Sequence, residues 1–261
     1  MDLGLKGKRA LVTGATKGIG RRIAERLVLE GASVAICARQ QAEVDEAVQA
    51  LRAGGMTAWG RACDVKNGDD YVRWIDEAVT ALGGVDVFVP NVTAGGGLAP
   101  IEQWRANFEV DVLGTVRGCD AVVPKMSAGG AIVAIGTTAA VETFMGPNAY
   151  NAMKAALITY TKQLSQHLGP KGIRVNLVSP GPIEFPGGAW EKIRQNMPDL
   201  YERMRSLEPM GRMGTTAEVA ALVVFLAGPL AGYITGQTIA IDGGTISTRF
   251  RSSSILSAVV S

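Results

Sequence analysis

Short apolar segments alternate with longer segments of helical periodicity along almost the whole chain. Residues 10–12, 33–37, 57–62, 85–89, 131–135, 173–178 and 238–242 read as strands. Between them, residues 19–30, 43–52, 71–82, 104–126, 150–168 and 216–227 carry apolar positions at helical spacing. Strands separated by helices of this length need crossover connections, and crossovers make the sheet parallel. The strands are continuously apolar rather than alternating, which puts helices on both faces. The expected fold is α/β, a Rossmann-like, doubly wound, mostly parallel seven-stranded sheet. No linker or repeat interrupts the series, so residues 1–261 are expected to form a single dinucleotide-binding and catalytic domain. Two segments depart from the alternation. One is a Gly/Pro-rich stretch with a helical sequel, read as a substrate lid over about 184–212; the other is a C-terminal tail over about 246–261.

Charge and cysteine content narrow the function classes. Lys and Arg total 26 against 24 Asp and Glu, a net charge of +2 with no clustered basic face. That balance excludes an electrostatic case for nucleic acid or an anionic membrane surface. Cys37, Cys63 and Cys119 are isolated, with no CxxC or Cys/His cluster, so neither a disulfide framework nor a metal site is expected. Buried thiols of a cytoplasmic protein are the expectation. His167 is the only histidine, and no G-x-S-x-G elbow supplies a serine for it to activate. Residues 219–241 lack Asp, Glu, Lys and Arg and are long enough to span a bilayer. Gly228-Pro229 breaks that run and residues 235–238 are polar, so a buried helix followed by a buried strand, in a soluble protein, is expected.

Directly after the first strand comes Thr13-Gly14-Ala15-Thr16-Lys17-Gly18-Ile19-Gly20, with a helix opening on it. Gly14, Gly18 and Gly20 let the backbone turn tightly and approach a pyrophosphate, which then meets free N–H groups at the helix start. Thr16, Lys17 and Ile19 complete this candidate phosphate turn. At the end of the second strand, an acidic residue would bond a ribose 2′-hydroxyl and repel a 2′-phosphate. Ala38-Arg39 stands there instead. Arg39 and Lys17 read either as surface charges or as a pair gripping a 2′-phosphate, and the second reading favours NADP(H) over NAD(H). Asp64, after the third strand, is placed either to bond an adenine amino group or to cap a turn.

Tyr150 and Lys154 are i and i+4 neighbours on one helix face. An adjacent ammonium lowers a phenol's pKa toward the range that acid–base catalysis needs. The TGxxxGxG turn, Asp64-Val65, Y-x-x-x-K at 150–154, Pro180-Gly181 and Asp242-Gly243-Gly244 together resemble the short-chain dehydrogenase/reductase superfamily in its single-domain form. The likeness is to 3-oxoacyl-carrier-protein reductase-like members and covers about residues 5–245. It implies hydride transfer between a nicotinamide and a carbonyl/alcohol pair. Tyr150 then exchanges the proton, Lys154 holds the nicotinamide ribose, and the hydroxyl thirteen positions before the tyrosine, Thr137, binds the substrate oxygen. Asn91, Ile183, Pro180 and Gly181 fall where the family contacts its cofactor.

Departures from the family pattern are informative. Asp111 replaces the fourth catalytic member, an asparagine. Its charge favours protonated Lys154 but opposes a Tyr150 phenolate, and the sequence leaves the outcome open. Pro90-Asn91-Val92-Thr93 keeps one residue of the family's N-N-A-G, with Gly95, Gly96 and Gly97 next door. Phe185 stands where a threonine usually meets the nicotinamide amide, with Glu184 beside it.

Trp190, Met197, Leu200, Tyr201, Met204 and Met210 form an apolar stripe on the expected lid. The stripe reads equally as packing against the body or as the wall for a small hydrophobic carbonyl or alcohol. The family implies a homo-oligomer, tetramer or dimer, through the central and catalytic helices. The apolar tail either covers a neighbouring subunit or frays. A rival reading is an NADP(H)-binding sensor of the same fold, favoured by Asp111 and the altered Asn91 region and opposed by the retained Tyr150, Lys154 and Thr137. An epimerase or dehydratase would need further acid–base groups that the sequence does not offer.

Overall fold

A computed structural model describes residues 2–53, 55–96, 100–142 and 146–246. Its chain order is β1 (Arg9–Thr13), α1 (Gly18–Leu29), β2 (Ser33–Ala38), α2 (Gln41–Arg52), β3 (Ala58–Ala62), α3 (Gly68–Leu82) and β4 (Val85–Val89). There follow α4 (Ile101–Asn107), a π-helical turn (Phe108–Leu113), α5 (Gly114–Val122), β5 (Met126–Ile135) and α6 (Ala149–Leu168). The last part holds β6 (Arg174–Pro180), β7 (Ile183–Glu184), α7 (Ala189–Asn196), α8 (Pro198–Leu207), β8 (Gly214–Thr215), α9 (Thr216–Ala227) and β9 (Thr238–Ile241).

Seven strands form one parallel sheet in the order β3-β2-β1-β4-β5-β6-β9. Successive residues of a strand point to opposite faces, and here both faces are covered. Ala10, Val12, Val34 and Ile36 pack with Ile23 and Leu27 of α1 and Val223 of α9. Leu11, Ala35 and Cys37 face the other way, toward Tyr71, Trp74 and Ile75 of α3. The continuous apolar runs in the sequence follow from this double burial. Strand order reverses between β1 and β4, which opens a crevice at the carboxyl ends of those strands. Arg9 ties that junction from the other end, donating to Asp86 at 2.7 and 3.0 Å.

The charge-free run at 219–241 is α9, a short 3-10 turn and β9. Among the described residues, no helix is long and apolar enough to cross a membrane. Thr215 and Glu218 close a reciprocal capping box at the start of α9. At its other end the buried Arg174 donates to the carbonyls of Leu226, Ala227 and Gly228 at 2.6, 3.2 and 3.0 Å. Cys37, Cys63 and Cys119 are buried and unbridged.

Two expectations need correction. The single helix expected over 104–126 is instead α4, a π-helical turn, α5 and a 3-10 turn at Val123–Lys125, and Met126 already belongs to β5. The widened turn shifts the hydrogen-bond register, with the Gly114 N–H donating to Glu109 O, and Pro124 ends the helix. The paired strands β7 and β8 frame the segment carrying α7 and α8 and have no counterpart in the sequence reading. The proposed tail lies almost wholly outside the described residues, as does Gly97.

Candidate active site

The residues singled out in the sequence gather around one cavity of about 1000 Å³ at the carboxyl ends of the strands. Gly14, Thr16, Lys17, Gly18, Ile19 and Gly20 enter from β1–α1, Arg39 follows β2, and Asp64 and Val65 follow β3. Asn91 follows β4, Thr137 follows β5, and Pro180, Gly181 and Ile183 close β6 and begin β7. Tyr150 and Lys154 reach in from the first turns of α6, whose start Asn148 fixes by accepting from the Asn151 N–H at 2.9 Å.

The glycine turn fits a pyrophosphate. Gly14 and Gly18 have φ of +63° and +59°, in the left-handed region. A Cβ on Gly20 would stand 2.3 Å from Asn91 Nδ2 and 2.4 Å from Gly14 O, so only glycine packs there. No side chain caps α1 and no acidic residue occupies its first turn, which leaves its positive end to an anion. Asn91 braces this cradle, its Nδ2 donating to the carbonyls of Thr13 and Gly14 at 3.1 Å each. The residues present therefore fit a dinucleotide.

On the β2 side of the cavity, Arg39 is exposed and makes no ion pair among the described residues. Asp64 spends one carboxylate oxygen on the Lys66 N–H at 3.0 Å, the local turn role foreseen beside adenine recognition. Phe185 lies against the glycine turn: a Cβ on Gly18 would be 2.8 Å from its ring. Glu184 turns away from the cavity. It accepts from Tyr201 Oη at 2.6 Å and pairs with Arg194 at 2.9 Å, pinning α7 and α8 to β7.

The catalytic end holds the tightest network. Lys154 Nζ stands 3.1 Å from Asp111 Oδ1 and donates to the carbonyls of Ile135 and Val92 at 3.0 and 3.3 Å. Asp111 Oδ1 takes the ammonium's charge but no aligned hydrogen bond. Its Oδ2 accepts from Asn107 Nδ2 at 2.8 Å and from the Ala94 N–H at 3.2 Å. Asp111 sits in the π-helical turn, and its own carbonyl accepts from Thr115 Oγ1 at 2.8 Å. That bond satisfies a backbone group in the widened turn. Tyr150 and Thr137 both line the cavity. Desolvation by burial raises the Tyr150 pKa above the ordinary phenol value, the Thr137 hydroxyl lowers it in part, and the Asp111 charge raises it again.

Beyond these lie Trp190 and Ile193 of α7, Met204 of α8 and Met197 between the two helices, all lining the cavity, whereas Tyr201 alone of the two helices is buried. Half of the stripe, Trp190, Met197 and Met204, thus walls the cavity, while Tyr201 is buried and Leu200 and Met210 do not line it. The sequence reading missed Asn107 and Glu43. Asn107 was findable as the residue four before Asp111 on a helix face, while nothing in the sequence marks Glu43.

Comparison with known proteins agrees with this geometry. The profile of the enoyl-(acyl carrier protein) reductase family matches residues 14–245. The isoepoxydon dehydrogenase of Penicillium expansum is 36% identical over 257 residues, covering 96% of this chain and 99% of that protein. Dehydrogenase/reductase SDR family member 4 of Homo sapiens is 35% identical, covering 92% of this chain and 88% of that protein. Among solved structures, the L-sorbose reductase of Gluconobacter frateurii, complexed with NADPH and L-sorbose, superposes with a TM-score of 0.87 at 31% identity. That match covers 95% of this chain and all of the reductase.

Proposed function

The chain belongs to the short-chain dehydrogenase/reductase superfamily, and as an oxidoreductase of that family we propose that it transfers a hydride between NADP(H) and a carbonyl or secondary alcohol. The observation that carries this reading is the meeting of Thr137, Tyr150 and Lys154 in one cavity with the uncapped glycine turn. A bound nicotinamide supplies the hydride in reduction and takes it up in oxidation.

The protein's own residues handle the proton. Tyr150 Oη gives its proton to the substrate oxygen in reduction and recovers it in oxidation. Thr137, which lines the same cavity as Tyr150, orients that oxygen alongside the phenol. Lys154 Nζ donates to Ile135 O and Val92 O and pairs by charge with Asp111. To hold a ribose hydroxyl it gives up the longest of these, the contact to Val92 O. Asp111 anchors the lysine through charge and the loop after β4 through the Ala94 N–H.

NADP(H) is preferred over NAD(H) in this reading because Lys17 and Arg39 line the ribose end, with no carboxylate directly after β2. The NADPH complex of the similar L-sorbose reductase supports the same choice. Gly14, Thr16, Gly18, Ile19, Gly20, Asp64, Val65, Asn91, Pro180, Gly181 and Ile183 complete the cofactor contacts. Residues 184–212 act as the lid, and its apolar lining favours a small hydrophobic carbonyl or alcohol as substrate. Ile101 and Phe108, exposed on the central helix, supply an apolar face for a homodimer or homotetramer. Three buried thiols suit a reducing cytoplasm. The dehydrogenases and reductase named above give no support to a sensor.

The test is to titrate the protein with NADPH and NADH by fluorescence, then to follow cofactor absorbance over a panel of hydrophobic ketones. Tyr150→Phe is expected to lower turnover by about a thousandfold while leaving NADPH binding in place. Undiminished turnover in that variant, or no binding of either nucleotide, would overturn the reading.

A further inference from the structure

The adenosine end of the cavity carries a carboxylate as well as its two cations. Glu43 lies in the first turn of α2 and lines the cavity with Thr16, Lys17 and Arg39. Thr16 Oγ1 donates to its Oε2 at 3.1 Å, and Lys17 Nζ stands 3.9 Å from its Oε1. From a different βα unit, Glu43 therefore engages two residues of the glycine turn. Arg39 has no ion pair among the described residues, so the two cations differ in availability. The positive end of α2 favours a negative charge at this spot, whether it belongs to the protein or to a ligand.

We infer that Glu43 weakens the preference of this site for a 2′-phosphate: its carboxylate occupies Thr16 and Lys17, and a 2′-phosphate binds by displacing it. The inference rests on the dinucleotide reading given above. A 2′-phosphate and a carboxylate compete for the same donors and repel each other, whereas a 2′-hydroxyl carries no charge for the carboxylate to repel. Glu43 thus holds the discrimination between NADP(H) and NAD(H) below what Lys17 and Arg39 would give alone. Both Lys17 and Glu43 are substantially exposed, so the contest is modest and screened by salt. A carboxylate that served only the start of α2 would affect the helix and leave ligand preference unchanged.

Binding measurements on the full chain test this without recourse to turnover. Wild type and Glu43→Gln are titrated with NADPH, NADH, adenosine 2′,5′-bisphosphate and adenosine 5′-monophosphate, at low and high salt. Glu43→Gln is expected to tighten the two 2′-phosphorylated ligands by about fivefold and to leave the other two within about twofold. The gain should shrink at high salt and in a Lys17→Ala background. Equal effects on all four ligands, no gain for the phosphorylated pair, or an undiminished gain without Lys17 would overturn the inference. If wild type binds NADPH no more tightly than NADH, the NADP(H) reading fails. A gain confined to phosphorylated ligands in Glu43→Gln would still uphold the role of Glu43.

Discussion

Lys154 Nζ lies 3.1 Å from Asp111 Oδ1, and the two side chains are 4% and 0% exposed. This is a direct buried ion pair at the place where the family pattern has an uncharged asparagine. The lysine's positive charge is shared with a carboxylate instead of acting on Tyr150 alone. The Asp111 charge disfavours the Tyr150 phenolate and adds to the effect of burial.

Replacing Asp111 by Asn is expected to shift the pH dependence of both directions the same way. Reduction requires the Tyr150 O–H, which is present below its pKa; oxidation requires the phenolate, present above it. Because Asp111 raises that pKa, its removal lowers it. The alkaline decline of reduction and the rise of oxidation should both move to lower pH. Log-rate profiles of wild type and Asp111→Asn check this, and superimposable profiles would refute it.

Gly20→Ala should damage both fold and cofactor binding. Its Cβ would meet Asn91 Nδ2 and Gly14 O well inside contact distance, and Gly14 O is backbone that cannot swing aside. A loss of about 2 kcal/mol is expected, a fall in Tm of roughly 5 °C. Calorimetry and an NADPH titration would measure the two losses together, and an unaltered melting curve would contradict the close packing of the turn.

Arg39→Ala should weaken NADPH by about tenfold and leave NADH unchanged, since a charge-assisted contact to phosphate is lost and nothing replaces it. The NADPH loss should be smaller at high salt. Parallel weakening of both nucleotides would assign Arg39 to another part of the cofactor.

Arg174→Met should destabilise the fold by about 3 kcal/mol. The three carbonyls that Arg174 satisfies are the unpaired acceptors at the end of α9, and a thioether cannot replace its N–H donors. Urea denaturation is the measurement, and a change below about 1 kcal/mol would show that solvent reaches those carbonyls.

Much of this protein was legible because its determinants are local. The apolar alternation specifies strands buried on both faces; the spacing of Gly14, Gly18 and Gly20 marks a turn between strand and helix; Tyr150 and Lys154 share a face because they are four residues apart on α6. The tertiary structure decided what depends on contacts between distant segments. It brought Asp111, on the π-helical turn, onto Lys154, and local periodicity does not encode a one-residue widening in which the Asp111 carbonyl accepts from Thr115. It laid Phe185 on Gly18 and turned Glu184 toward Tyr201. It also carried Glu43 from α2 to Thr16 and Lys17. The sequence determined the sheet and the kinds of group at its edge, because those follow from spacing along the chain. The pairing of charges across that edge followed only once the strands were set side by side.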